Sequence, residues 1–199
     1  MRDLLKASSG LWLRRWSSDD VQPVLTAFAD PLMRGQAPEP VTTVGDAERW
    51  LSAQAERWVA GSAFAFAAVD EAGVVLGNVA VGAVDRRHRA GWVSYWTTPA
   101  ARGRGVAVRA CRSLTQWAFD DLGLFRLELG HRTNNPASCR VATAAGFAVE
   151  GLQRQKLEYD GARFDVELHA RLATDSAEPG PAQPRGAHDQ AAPGPRLNL

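Results

Sequence analysis

Two cysteines in 199 residues, and a formal net charge of only +1, are the first constraints on this chain. Cys111 and Cys139 cannot make a disulfide framework, and no Cys/His spacing of a metal-binding motif surrounds them, so no metal is expected. Cys111 falls within an apolar helical pattern and reads as core. The balanced charge lacks the basic bias of a nucleic-acid or membrane-surface binder. No apolar run approaches the roughly 20 residues that span a bilayer. The first ten residues hold only the apolar pair Leu4 and Leu5, not the hydrophobic stretch of a secretory leader. These absences point to a cytoplasmic protein with neither nucleic-acid nor membrane partners.

What is present suits one globular domain. Hydrophobic residues make up 45% and charged residues 23%, enough apolar material for a core in a chain of this length. Residues 1–10 read as an N-terminal extension and residues 11–172 as the folded domain. From Ala173 to Leu199 the chain is dense in Pro, Gly and Ala and nearly free of large apolar residues. Such a tail cannot bury enough surface to offset its ordering entropy and is expected to be disordered.

Within residues 11–172 strand and helix patterns alternate. Leu11–Trp16 reads as a strand, with Ser17, Ser18 and Asp19 as caps for a helix over 20–29. Thr42 or Thr43 opens a helix to Val59. Two β-rich runs, 63–69 and 74–84, flank the turn Asp70-Glu71-Ala72-Gly73. A strand over 92–97 precedes Pro99, and residues 106–122 return to helical spacing. Phe125–Leu129 is a strand, 137–145 a short helix stopped by Gly146, and 147–159 and 162–172 a hairpin about Asp160-Gly161. On the last strand Phe164, Val166, Leu168, Ala170 and Leu172 share one face, and Arg163, Asp165, Glu167 and Arg171 the other. The predicted fold is α/β (α+β): a single mixed, mostly antiparallel twisted sheet flanked by helices.

The most informative stretch is Thr97-Thr98-Pro99-Ala100-Ala101-Arg102-Gly103-Arg104-Gly105-Val106-Ala107. A strand runs into a loop with two glycines and two arginines, then directly into a helix. Glycine lets backbone approach an anion closely, and the first helical turn presents unpaired N–H groups and the positive end of the helix dipole. Arg102 and Arg104 add charge-assisted donors. The order makes a pyrophosphate cradle; the same residues also suit a plain surface turn. The ending of a nucleotide-binding P-loop and the third glycine of a dinucleotide fingerprint are both missing.

These residues resemble the Arg/Gln-x-x-Gly-x-Gly/Ala motif of the GNAT superfamily of N-acetyltransferases. A second block, Asn134-Asn135-Pro136-Ala137-Ser138 followed by Gly146-Phe147-Ala148-Val149-Glu150-Gly151, is similar to a signature of its ribosomal-protein-alanine N-acetyltransferase branch. The resemblance implies a GNAT-like fold and acetyl-CoA as cosubstrate. It implies that Arg102, Gly103, Arg104, Gly105, Val106 and Ala107 hold the pyrophosphate. Trp96, Thr97 and Thr98 would line the pantetheine arm through backbone groups, and Asn135 would meet its amides; Asn135 also suits a helix cap. Ser138 is the implied donor of a proton to the leaving thiolate, because Ala142 stands where other branches carry a tyrosine. Glu150 matches the family glutamate and is the candidate base, although it could equally tie a strand to the core. His88, His131 and His169 each stand isolated in sequence. Cys139 lacks a sequence-local His or Asp, so transfer is expected to be direct rather than through an acyl-enzyme.

The weakness of the base candidates itself constrains the acceptor. An α-amine titrates near 7.8 and a lysine near 10.4, so at neutral pH the α-amine has about 400-fold more free base, worth about 3.5 kcal/mol. The expected reaction is acyl transfer from CoA to a primary amine, either a protein N-terminus or a small molecule. A non-catalytic acyl-CoA-binding module and an enzyme using succinyl-CoA are the alternatives. Arg34, Arg86, Arg87 and Arg89 could meet a carboxylate on the acceptor or on a succinyl group. The resemblance also implies a homodimer.

Overall fold

The structure is a computed structural model that describes residues 4–8, 10–33, 37 and 39–175. Arg34 and the expected tail beyond Asp175 lie outside the described residues. Eight strands form one sheet: β1 (Leu4–Ser8), β2 (Leu11–Arg15), β3 (Phe64–Val69), β4 (Val75–Asp85), β5 (Ala90–Thr97), β6 (Arg126–Arg132), β7 (Ala148–Tyr159) and β8 (Ala162–Leu172). Their spatial order is β1-β2-β3-β4-β5-β6-β8-β7. Neighbours are antiparallel except β5 and β6. The helices are α1 (Val21–Phe28), α2 (Val44–Ala60), α3 (Val106–Asp120) and α4 (Pro136–Ala144).

Two terminal expectations change. Leu4–Ser8, assigned by sequence to an extension, pairs with β2 as the edge strand. Leu5 is buried in the main core, and Arg109 of α3 donates to the Ser8 hydroxyl at 3.1 Å. The alternation of a five-residue edge strand is too short to register as a pattern. At the other end Ala173 donates its N–H to the Phe125 carbonyl at 2.8 Å, and the Asp175 carboxylate accepts from the Leu172 N–H at 2.8 Å. These local backbone bonds carry the ordered chain three residues past the expected boundary.

The core follows from strand alternation. Phe64, Phe66, Val79, Val81, Val93, Leu127 and Leu129 turn to one face, where α3 lays down Val106, Ala110, Cys111, Leu114 and Ala118. Cys111 is fully buried, and burial pushes its thiol well above the usual range. On the opposite face Trp16, Phe28 and Trp50 surround Trp96, with ring centroids 5.1–5.9 Å apart. Such edge-to-face and tilted ring pairs add to area burial by about 0.5–1.5 kcal/mol each. The Trp16 indole N–H donates to the buried Asn78 carbonyl oxygen at 2.9 Å, which satisfies both polar groups.

α2 begins with a reciprocal capping box between Thr43 and Asp46 and ends on Gly61 in the left-handed conformation. Hydrogen bonds to the Asp46 carboxylate, first from the Thr42 N–H and then from Thr43, hold it well below the ordinary carboxylate range.

Candidate functional site

A gap in the sheet builds the site. β5 and β6 pair only from Ala90, Gly91 and Trp92 to Arg126, Leu127 and Glu128. Beyond that point Val93–Thr97 stay paired to β4, and Leu129–Arg132 to β8, so the two facing edges separate. The last paired residue of β5, Trp92, packs over the start of the open stretch. Trp92 lies across Gly130, where an added Cβ would come within 3.1 Å of the indole. The open edges leave peptide N–H and C=O groups of β5 and β6 for something other than a neighbouring strand.

The chain leaving β5 reaches the glycine loop. Gly103 and Gly105 adopt φ of +72° and +71°, and Gly105 is the N-cap of α3 without a side-chain bond to the first turn. Neither glycine has a neighbour within 4 Å of where a Cβ would stand, so backbone conformation rather than crowding requires glycine there. The N–H groups opening a 15-residue helix therefore remain available beside the gap. Val106 is buried and anchors the helix start. Arg104 is exposed on the loop. The Arg102 guanidinium instead forms an ion pair with Asp30 at the end of α1, which ties the loop to the opposite layer.

The remaining sequence candidates separate into two groups. Asn135 and Ser138 come to the mouth of the gap at the start of α4. The Asn135 side chain accepts from the Ser138 N–H at 3.1 Å, so its oxygen acts as the helix cap. The Tyr95 hydroxyl crosses from β5 and donates to the Ser138 carbonyl at 3.2 Å. Burial pushes the Tyr95 phenol up, so it stays protonated. Glu150 lies elsewhere. Its exposed carboxylate pairs with Arg126, at the opposite end of β6 from the open edge. That ion pair lowers the Glu150 pKa. The loop arginines are also at that far end: Arg86 donates to the Leu122 carbonyl at 3.3 Å and Arg89 to the Gly123 carbonyl at 2.8 Å.

On the sheet face opposite α3, a cavity of about 520 Å³ lies beneath α2, lined by Trp50, Asn78, Trp92, Ser94 and Trp96, with Glu39, Asp46 and Arg57 also contributing. Tyr95 borders it too, and its hydroxyl reaches the Ser138 carbonyl at the start of α4. Tyr95 was not a sequence candidate. Alternation gives its face, but not a partner 43 residues away.

A family model described as the acetyltransferase (GNAT) domain matches residues 10–148. The chain belongs to the GNAT acetyltransferase family. The ribosomal-protein-serine acetyltransferase of Escherichia coli is 26% identical over 98 residues, 49% of this chain and 55% of that protein. The chain spans about half the length of the curated relatives it matches first. Among solved structures, Mycobacterium smegmatis RimJ in complex with CoA-disulfide superposes with a TM-score of 0.75 at 25% identity, covering 87% of this chain and 88% of that one. The RimL ribosomal L7/L12 alpha-N-protein acetyltransferase, in complex with coenzyme A, superposes with a TM-score of 0.77 at 22% identity, covering 85% of this chain and 97% of that one. The parted strands and the glycine loop are thus the parts of a GNAT fold. Among the described residues, no helix is long and apolar enough to cross a membrane.

Proposed function

We propose that this GNAT protein transfers an acetyl group directly from acetyl-CoA to a primary amine. The gap between β5 and β6, opening onto the glycine loop at the start of α3, carries this reading. Backbone groups of Trp96, Thr97 and Thr98 line the pantetheine arm. The N–H groups of Gly103, Arg104, Gly105, Val106 and Ala107 hold the pyrophosphate. Arg104 adds charge, while Arg102 fixes the loop through Asp30. The Asn135 amide keeps its NH₂ for a ligand carbonyl, since its oxygen caps α4.

The acceptor enters through the cavity under α2 as a neutral amine. Its nitrogen attacks the thioester carbonyl, the C–N bond forms and the C–S bond breaks. A free N–H of the open β5 edge stabilises the developing oxyanion. The Ser138 hydroxyl delivers a proton to the leaving thiolate and regains the proton that the attacking nitrogen releases, with Tyr95 holding the Ser138 carbonyl in place. Of the two carboxylates that line the cavity, Glu39 and Asp46, Asp46 is committed to capping α2 and is too weak a base for an ammonium group. An acceptor with a substantial free-base fraction fits this cavity, and the relatives that act on ribosomal proteins support an N-terminal α-amine. The protein works in the cytosol as a homodimer, pairing through the β7 edge, where Val149 and Leu152 are exposed.

Thermal unfolding with acetyl-CoA, succinyl-CoA, CoA and ATP tests the donor. A ligand at about 100 times its Kd adds about 2.7 kcal/mol. Stabilisation by CoA species and not ATP is expected, with acetyl-CoA then consumed in the presence of N-terminal peptides. Acylation of internal lysines with N-terminal peptides inert would reject the α-amine acceptor.

A further inference from the structure

Beyond the transfer site, four residues distant in sequence converge under the start of α4. His131 of β6 and Glu167 of β8 are direct cross-strand partners, and His169 follows two residues along the same face. Cys139 of α4 covers them. One donor atom from each lies within 4.8 Å of every other. His131 Nε2 is 3.0 Å from His169 Nε2, and Glu167 Oε1 is 3.4 Å and 3.1 Å from those nitrogens. Cys139 Sγ stands 3.6 Å from the same oxygen.

The ring orientations give these contacts their meaning. His131 Nδ1 faces the Arg132 carbonyl at 3.0 Å, and His169 Nδ1 faces the Phe147 carbonyl at 3.4 Å. A carbonyl only accepts, so each Nδ1 is the donor there, and in the neutral form that this fixes each Nε2 turns a lone pair toward the other. Two lone pairs and a carboxylate oxygen therefore meet in a pocket where His131 and His169 are 7% and 1% exposed. Such an arrangement is repulsive without a positive centre between the donors. A ring N–H held by a backbone carbonyl is also the usual support of a metal-binding imidazole.

We infer that His131, Cys139, Glu167 and His169 form a binding site for one zinc-class divalent cation. Nitrogen, sulfur and oxygen ligands at about 2.0–2.3 Å in a tetrahedron stand about 3.3–3.8 Å from one another. The contacts of Glu167 Oε1 and between the imidazoles are 3.0–3.6 Å, and all four donors lie within 4.8 Å of one another. The thiol and imidazole donors select a borderline-soft ion over magnesium or calcium. With four protein ligands the site is of the closed, structural kind. It joins β6, β8 and the first turn of α4 one residue after Ser138, so the ion fixes the helix that borders the gap. Glu167 and His169 lie outside the residues that match the family model. The site does not depend on the acyl-transfer reading, since none of its ligands is assigned a role in that reaction.

The test is a cobalt titration of the tag-free, chelator-treated full chain, with zinc as competitor and no acyl-CoA present. One cobalt per chain should bind, with a thiolate-to-metal charge-transfer band, visible bands of tetrahedral intensity, and displacement by one equivalent of zinc. Cys139→Ser should abolish the charge-transfer band and weaken binding about 100-fold, whereas Cys111→Ser should keep the band. His169 is so buried that its removal could unfold the chain, so the half-buried Glu167→Gln serves as the second variant; it should keep the band and lose affinity. A folded wild-type protein that gives no cobalt bands holds a shared proton between the imidazoles and overturns the proposal. Bands that survive Cys139→Ser place the metal elsewhere and overturn it equally.

Discussion

The glycine loop and the histidine cluster border the same helix, α4, or the gap beside it, yet they are built in opposite ways. The loop is contiguous: Trp96 to Ala107 contribute conformation and backbone N–H groups, and their order along the chain is already their order in space. The cluster is assembled: β6, α4 and β8 each bring one or two side chains, and register alone sets His131 opposite Glu167. A site made of backbone tolerates side-chain change but not a change of φ. A site made of converging side chains tolerates neither a slip of register nor the loss of one donor.

The largest expected effect is therefore on backbone conformation. Gly103→Val combined with Gly105→Val places β-branched residues at φ near +70°, a cost of about 1–2 kcal/mol at each position. Calorimetric titration should show CoA affinity lowered about 100-fold. Affinity unchanged in a folded double variant would mean that the cradle lies elsewhere.

Ser138→Ala comes next, with kcat lowered on the order of 100-fold if its hydroxyl delivers the proton. Tyr95→Phe should cost about tenfold in kcat with KM held, because it removes only the bond that positions Ser138. Equal losses in the two variants would instead make Tyr95 the donor.

Asp46→Asn acts on stability through pH. The Asp46 carboxylate has its pKa lowered by folding, so its contribution is present in full above the ordinary carboxylate range and fades as pH falls toward the depressed value. The variant should melt lower at pH 7, and the gap between the two proteins should close on acidification below about pH 4. A melting difference that persists unchanged at low pH would remove the capping explanation.

The smallest effect separates the two ends of β6. Glu150→Gln disrupts an exposed ion pair with Arg126 and should change kcat/KM less than about twofold. A loss of 100-fold or more would restore Glu150 as the base and contradict its place at the far end of the strand.

The fold was largely legible from the chain. The hairpin strands around Asp160-Gly161 run over 148–159 and 162–172, as periodicity and the turn indicate, and α3 and α4 start within a residue of their expected positions. Edge strand β1 escaped because five residues carry too little pattern. For the candidate site, the strand, glycine loop and helix start were legible because their order and conformation are local. The roles of single side chains were not. The ion pair of Arg102 with Asp30, 72 residues away, was not readable from the chain. His131 and His169 looked isolated until β8 returned antiparallel to β6.

Sequence alone determined the strand and helix order from β2 onward, the apolar faces, the two left-handed glycines before α3 and the family to which the chain belongs. All of these depend on interactions within a turn or on a repeating period of apolar residues, which a linear reading captures. Tertiary structure alone decided where β5 leaves β6, which charges are already paired, and that His131, Cys139, Glu167 and His169 meet. Those outcomes depend on pairing register and on the direction in which side chains leave elements that are distant along the chain.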